Sequence, residues 1–205
     1  MQDLIHQALA DARNYPDYRA YLTQLLAAGK TTGPNQSDSY VQFAQLNQAR
    51  MDRLDKRDRF LPAMIELLNQ LSKPVLMLVI TEGWCGDAAQ IIPLLYHMTK
   101  ASDQLDLQLV LRDEHPGLMD HFLTNEARSI PKVIFLDPAT KKVLGDWGPR
   151  PAVAQQMTMD YKHLPEPKPS YDTYQKELHT WYARDKTAST QLELVAAIKD
   201  IFIPA

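Results

Sequence analysis

Apolar residues recur at helical spacing over the first part of the chain, and the pattern changes near Lys73-Pro74. Leu4, Ile5, Ala8, Leu9 and Ala12 predict a first helix, and Tyr18, Tyr21, Leu22, Leu25 and Leu26, after Pro16, a second. Gly29 and Gly33-Pro34 close the second helix. Asn35-Gln36-Ser37-Asp38 offers N-caps for a third, from about Ser39 to Arg57. That stretch carries Arg50, Arg53, Lys56, Arg57 and Arg59 interleaved with Asp52, Asp55 and Asp58. Asp52/Lys56 and Asp55/Arg59 stand four apart with the acid first, so the expectation is a self-paired, solvated helix face rather than an RNA-binding one.

Beyond Pro74 the periodicity becomes that of a layered α/β domain. Val75-Leu76-Met77-Leu78-Val79-Ile80 is an unbroken apolar run, expected as a strand covered on both faces. Leu107–Leu111, Lys132–Leu136 and Lys142–Gly145 predict three more strands, and the short Asp137-Pro138-Ala139-Thr140 link makes the last two an antiparallel hairpin. Helices fit at about Asp87–Ala101, Pro116–Thr124 and Pro151–Tyr161, giving β-α-β-α-β-β-α between residues 74 and 162. The alternating prolines of Leu164-Pro165-Glu166-Pro167-Lys168-Pro169 read as a stiff connector. Two helices are expected after it, at Tyr171–Ala183 and at Ser189–Ile203, the latter with Leu194, Ile198, Ile201 and Phe202 on one face. The expected organisation is a helical extension over residues 1–73, an α/β core over 74–162, and a connector with C-terminal helices packed on that core over 163–205.

Composition narrows the function classes. The chain has 205 residues, 45% of them hydrophobic, which suffices for a sizeable core. A formal charge of −3 argues against a general nucleic-acid binder. No apolar run approaches the roughly 20 residues of a membrane helix. Met1-Gln2-Asp3-Leu4-Ile5-His6 lacks the basic and apolar regions of a signal peptide, so a cytoplasmic location is expected. One cysteine, Cys85, excludes an intramolecular disulfide and a cysteine-rich zinc site.

Cys85 is also the leading candidate for chemistry. Thr81-Glu82-Gly83-Trp84-Cys85-Gly86-Asp87-Ala88 places it between the first strand and a helix. Backbone N–H groups and the helix dipole there stabilise a thiolate, and strand ends of α/β sheets are where ligands bind. A small buried hydrophobe is the plain alternative. Gly83 and Gly86, on either side of Trp84-Cys85, suggest close backbone approach. Asp87 falls in the first helical turn, where a carboxylate is either structural or a tuner of the thiol. As a neighbouring negative charge it opposes the dipole, and the sequence does not say which effect wins.

These residues resemble the thioredoxin family. Trp84-Cys85-Gly86 after a buried strand is similar to the active-site turn Trp-Cys-Gly-Pro-Cys. Pro93 matches the proline of the active-site helix, and Arg128-Ser129-Ile130-Pro131 resembles the stretch whose proline is cis and faces the thiol. Gly145-Asp146-Trp147-Gly148 is similar to the glycine turn after the last strand. The resemblance covers residues 74–162 and implies a thioredoxin-like fold: a four-stranded mixed sheet between helices, here with helical N- and C-terminal extensions. It also implies that the Ile130–Pro131 bond is cis, next to a partly accessible Cys85. The Ile130 backbone would then pair with an extended substrate. The departures are as informative. Ala88 stands where the resolving cysteine belongs, Asp87 replaces the intervening proline, and Val79 occupies the position of the buried carboxylate.

With no resolving thiol, the resemblance implies a monothiol thiol–disulfide oxidoreductase. Cys85 and Asp87 are its candidate catalytic residues, and Trp84, Gly86, Ile130, Pro131, Arg128 and Trp147 its candidate substrate-binding residues. Partners would be protein or low-molecular-weight disulfides and an external thiol or reductase, with no nucleic acid, membrane, metal or resident cofactor. Two alternatives stand beside it: a non-catalytic binding module of the same fold, and an iron–sulfur or thiol carrier resembling monothiol glutaredoxins. Smaller choices remain open. Arg128 either holds a substrate carboxylate or forms a surface ion pair. Trp147 either rims a groove with Trp84 and Arg150 or packs in the core. Asp113-Glu114-His115 before Pro116 reads as a helix cap rather than a metal site. The other histidines, His6, His97, His121, His163 and His179, show no ligand spacing.

Overall fold

Because the side chains of Val75–Ile80 are all apolar, the run Val75–Thr81 forms the strand β1, wholly buried and paired on both sides. A computed structural model describes residues 1–57 and 59–202. The sheet order is β2-β1-β3-β4, with β2 at Leu105–Leu111, β3 at Lys132–Leu136 and β4 at Val143–Trp147. β1 runs parallel to β2 and antiparallel to β3, and β3–β4 is an antiparallel hairpin. Mixed pairing follows from the connections: the helix α5 (Gly86–Ala101) carries the chain between the parallel strands, and the short Asp137–Lys142 link returns it directly. The result is the expected four-stranded mixed sheet with helices on both sides.

The two sheet edges are covered rather than left open. The helices α1 (Gln2–Asp11) and α2 (Tyr15–Ala27) pack beside β2. Between them, Arg13 exchanges backbone hydrogen bonds with Leu109, at 2.9 and 2.8 Å, and so extends the sheet beyond β2. At the other edge, α9 (Ala188–Phe202) packs on β4 and on α4 (Pro62–Gln70). The helix α3 (Asp38–Leu54) lies along α5. The helices α7 (Ala152–His163) and α8 (Tyr171–Asp185) close a small apolar cluster of their own, built on Ala154, Tyr174, Leu178 and Tyr182.

The differences from expectation have local causes. The helix α4 was not anticipated, although Met64, Leu67, Leu68 and Leu71 repeat at helical spacing behind Pro62, and all four are buried. The expected helix after Pro116 is a single turn, α6 (Pro116–Met119). Asn125 and Glu126 adopt positive φ, and Thr124 bridges Ala127, so the chain turns back before a second turn forms. The helix α3 stops at Leu54, so Asp55 and Arg59 share no helical face. Instead of pairing with Lys56 and Arg59, Asp52 and Asp55 both take Arg19 of α2, the latter at 2.6 Å. The Tyr15 hydroxyl also donates to Asp55, at 2.6 Å. The planar guanidinium, with five donors in a fixed fork, serves both carboxylates at once. Asp58, the Ile203 end of the last helix and the side chain of Phe202 lie outside the described residues.

Candidate functional site

The loop from β1 to α5 is held by groups distant in sequence. The Gly83 N–H donates to Thr32 Oγ1 at 2.8 Å, and Asn47 Nδ2 donates to the Gly83 carbonyl at 3.0 Å. Glu82, fully buried, accepts the Asp113 N–H at 2.9 Å, and burial raises its pKa. Cys85 is the N-cap of α5. Its Sγ–H donates to the Ile130 carbonyl at 3.3 Å, and the Ile130–Pro131 bond is cis, as the resemblance implied. Gly148–Pro149 and Glu166–Pro167 are also cis, with no sequence signal that distinguished them.

The state of the thiol departs from expectation. Cys85 is 7% exposed rather than partly accessible. Burial pushes its pKa up to about 12, and the Asp87 carboxylate pushes the same way. The backbone N–H groups of Ala88 and Asp87 and the charge of Arg150 oppose this and lose. The contest between dipole and carboxylate is thus settled chiefly by a third effect, desolvation, which penalises the charged form of any group.

Asp87 is buried and fully engaged. Its Oδ2 accepts from Arg150 Nη2 at 2.7 Å and Nε at 3.0 Å, and its Oδ1 accepts the Tyr182 hydroxyl at 2.6 Å. Arg150 also donates to Gln155 and Thr158 of α7. Asp87 therefore ties α5 to α8 and to the segment after β4. His179 of α8 lies against the same turn: a Cβ on Gly86 would sit 2.7 Å from its Nε2, which explains the glycine there.

Above Cys85 opens a cavity of about 420 Å³, within the range typical of small-ligand sites. Of the expected residues, Trp84, Cys85, Gly86, Asp87, Arg128 and Ile130 line it, and Arg150 does too. Pro131 stands behind Ile130 and is not in the lining. Trp147 is not brought to the cavity: it is buried at the end of β4, its Nε1–H donating to Glu193 of α9 at 3.1 Å. Arg128 makes a two-pronged pair with Asp120, both contacts at 2.7 Å, at the cavity rim. Asp113, Glu114 and His115 do not converge, and no cluster of three metal-ligating side chains exists among the described residues. The sequence reading missed Asn47, Arg50, Tyr174, His179 and Tyr182. These lie 35 or more residues from Cys85, or on its far side, and carry no motif. Arg50, expected on a self-paired face, instead hydrogen-bonds Asn47 at 2.6 Å and lines the cavity.

His179 makes a pH prediction. Burial, with Arg50 nearby, lowers its pKa to about 4. Protonation is then favoured in the unfolded chain, so stability is present above the unfolded pKa near 6.5 and is lost as pH falls toward 4. The loss should approach about 2–3 kcal/mol. Urea unfolding at pH 7 and 4.5 should show a smaller acid loss in His179→Gln than in the native protein; equal losses would mean that His179 is solvated.

A sheet of this order, with a cysteine capping the helix after β1 and a cis-proline bend at its sulfur, defines the thioredoxin-like class. The chain belongs to the thioredoxin family: the thioredoxin family model matches residues 33–162, more than half its length. No curated protein matches it. Among solved structures it is similar to a protein of unknown function from Pseudomonas aeruginosa, at 18% identity and TM-score 0.57, covering 87% of this chain and 96% of that one. It is also similar to an HIV epitope-scaffold, at 16% identity and TM-score 0.56, covering 87% and 97%. At such identities the likeness concerns the fold alone. No described helix is long and apolar enough to cross a membrane.

Proposed function

We propose that this thioredoxin-family protein is a binding module, whose cavity receives a ligand over a thiol kept protonated at rest. The observation that carries this is the pairing of a 420 Å³ cavity with a floor cysteine whose pKa lies near 12. At neutral pH such a group presents almost no thiolate, and the thiolate is the attacking species in disulfide exchange. In the same proposal, residues 74–162 are the binding core, 1–73 a helical extension, and 163–205 supply the α8 wall.

Monothiol exchange is the second reading. It is favoured by the position of Cys85 in the cavity lining, beside the Ile130 backbone. In that case the Cys85 thiolate attacks one sulfur of a substrate disulfide, the other sulfur leaves as a thiolate, and an external thiol resolves the mixed disulfide. Asp87 would act there as the tuner of the thiol, and with one cysteine in the chain no second thiol completes the cycle.

Alkylation by iodoacetamide against pH separates the two. The binding reading expects negligible modification at pH 7 and a midpoint far above 9. Asp87→Asn should lower the midpoint, because a negative charge leaves while Arg150 stays. Rapid modification at pH 7, with a midpoint below 8, would establish the exchange reading instead.

A further inference from the structure

We propose that the cavity above Cys85 binds a small planar polyanion: an organic molecule with an aromatic or conjugated body and at least two acidic groups. This rests on the binding reading above and names its ligand class.

The charge distribution carries the inference. The whole chain has 25 acidic and 22 basic residues. Around this cavity the balance is reversed: Arg50, Arg112, Arg128, Arg150 and Lys162 line it, against Asp87 alone. These five come from separate parts of the chain, from α3, the segment after β2, the segment before β3, the segment after β4, and α7. Asp87 is already neutralised by Arg150. Arg112 pairs with Asp113, and Arg128 with Asp120. Arg50 and Lys162 have no carboxylate partner among the described residues. Arg50 is half-buried; burial lowers its pKa and Arg53 adds to this, while the Asp87 charge opposes both. A partly desolvated cation is costly, and an incoming anion offsets that cost.

The shape of the lining supplies the rest of the ligand. One aromatic group consists of Tyr40 and Trp84, with ring centroids 5.1 Å apart, and the Arg112 guanidinium lies 4.9 Å from the Trp84 ring. A second consists of Tyr161 and Tyr174, stacked at 4.3 Å, with Tyr171 beside them. Tyr174 is buried in that stack, so the lining rings left to meet a planar partner are Tyr40, Trp84, Tyr161 and Tyr171.

Isothermal titration of the full-length protein tests this with three probes. Benzene-1,3,5-tricarboxylate has a ring and charge, citrate has charge without a ring, and benzamide has a ring without charge. The tricarboxylate should bind saturably, citrate about 5- to 10-fold more weakly, and benzamide not at all. Arg50→Gln and Lys162→Gln should each weaken tricarboxylate binding about 5- to 10-fold, while Lys73→Gln, remote from the cavity, leaves it unchanged. Lys162 is exposed, so its replacement does not endanger folding. Binding should also fall between about 50 and 500 mM salt. If benzamide binds as tightly as the tricarboxylate, or if neither substitution changes the tricarboxylate affinity, the polyanion proposal is wrong while the binding reading stands. If no probe binds and Cys85 titrates below pH 8, both fail together.

Discussion

Replacing Asp87 with alanine should cost the fold about 3–5 kcal/mol, a large share of the stability of a domain this size. The Asp87 side chain is 8% exposed and that of its partner Arg150 is 14% exposed. Removing the carboxylate leaves the guanidinium buried without its counter-charge and strands the Tyr182 hydroxyl, whose acceptor is Asp87 Oδ1. The damage should concentrate in α8, which is joined to the rest through α7, through this hydrogen bond and through His179. Amide exchange in α8 should therefore accelerate before that of the central strands. Asp87→Asn keeps the shape and the acceptor for Tyr182, so it should cost less while still lowering the Cys85 pKa. The double variant Asp87→Ala/Arg150→Met should recover part of the loss, since it removes the orphaned charge. Urea unfolding of the three variants measures this. A loss below about 1 kcal/mol for Asp87→Ala would mean that the pair behaves as a surface ion pair and does not anchor α8.

Gly148→Ala should be nearly as damaging, by about 3 kcal/mol or more. Gly148 has φ +120°, a region that side-chain-bearing residues rarely enter. A Cβ there would lie 2.5 Å from the Pro131 carbonyl oxygen. That atom belongs to the backbone next to Ile130, so it cannot move aside as a side-chain tip does, and any shift reaches the carbonyl that accepts Cys85 Sγ–H. Gly29 is the internal control. Its φ is also positive, +68°, but nothing lies within 4 Å of its would-be Cβ, so Gly29→Ala should cost only about 1 kcal/mol. Thermal melts of both variants provide the comparison. Equal effects would show that the approach to Pro131 has slack.

The residues that declared the fold did so because their information is local. The six apolar residues of Val75–Ile80 leave no water-facing position, and a strand with none is central by necessity. Asp137-Pro138-Ala139-Thr140 is too short for anything but a hairpin. Ala88, where the resolving cysteine belongs, excludes a dithiol site from one position alone. The helix α4 is equally legible, in Met64, Leu67, Leu68 and Leu71 behind Pro62. The charged stretch before it misled because charge pairs at helical spacing describe an isolated helix; in the folded chain Arg19 competes for the same acids and wins.

By itself the sequence determined the sheet, the helix that Cys85 caps and the single-thiol limit on its chemistry, all written in patterns a few residues long, and the resemblance to the thioredoxin family added the bend at Ile130-Pro131. Only the tertiary structure decided the character of the site. The burial that lifts the Cys85 thiol toward pKa 12 comes from how separate segments pack around it. The ties on Asp87 arrive from Arg150 and Tyr182, 63 and 95 residues away. Arg50 of α3 and Lys162 of α7 enter the same cavity, while Trp147, which the sequence left open between groove rim and core packing, turns to Glu193. Desolvation and Coulomb interactions depend on distance in space and on what excludes water. Neither is a property of neighbours in the chain, so both become readable only once the chain has folded.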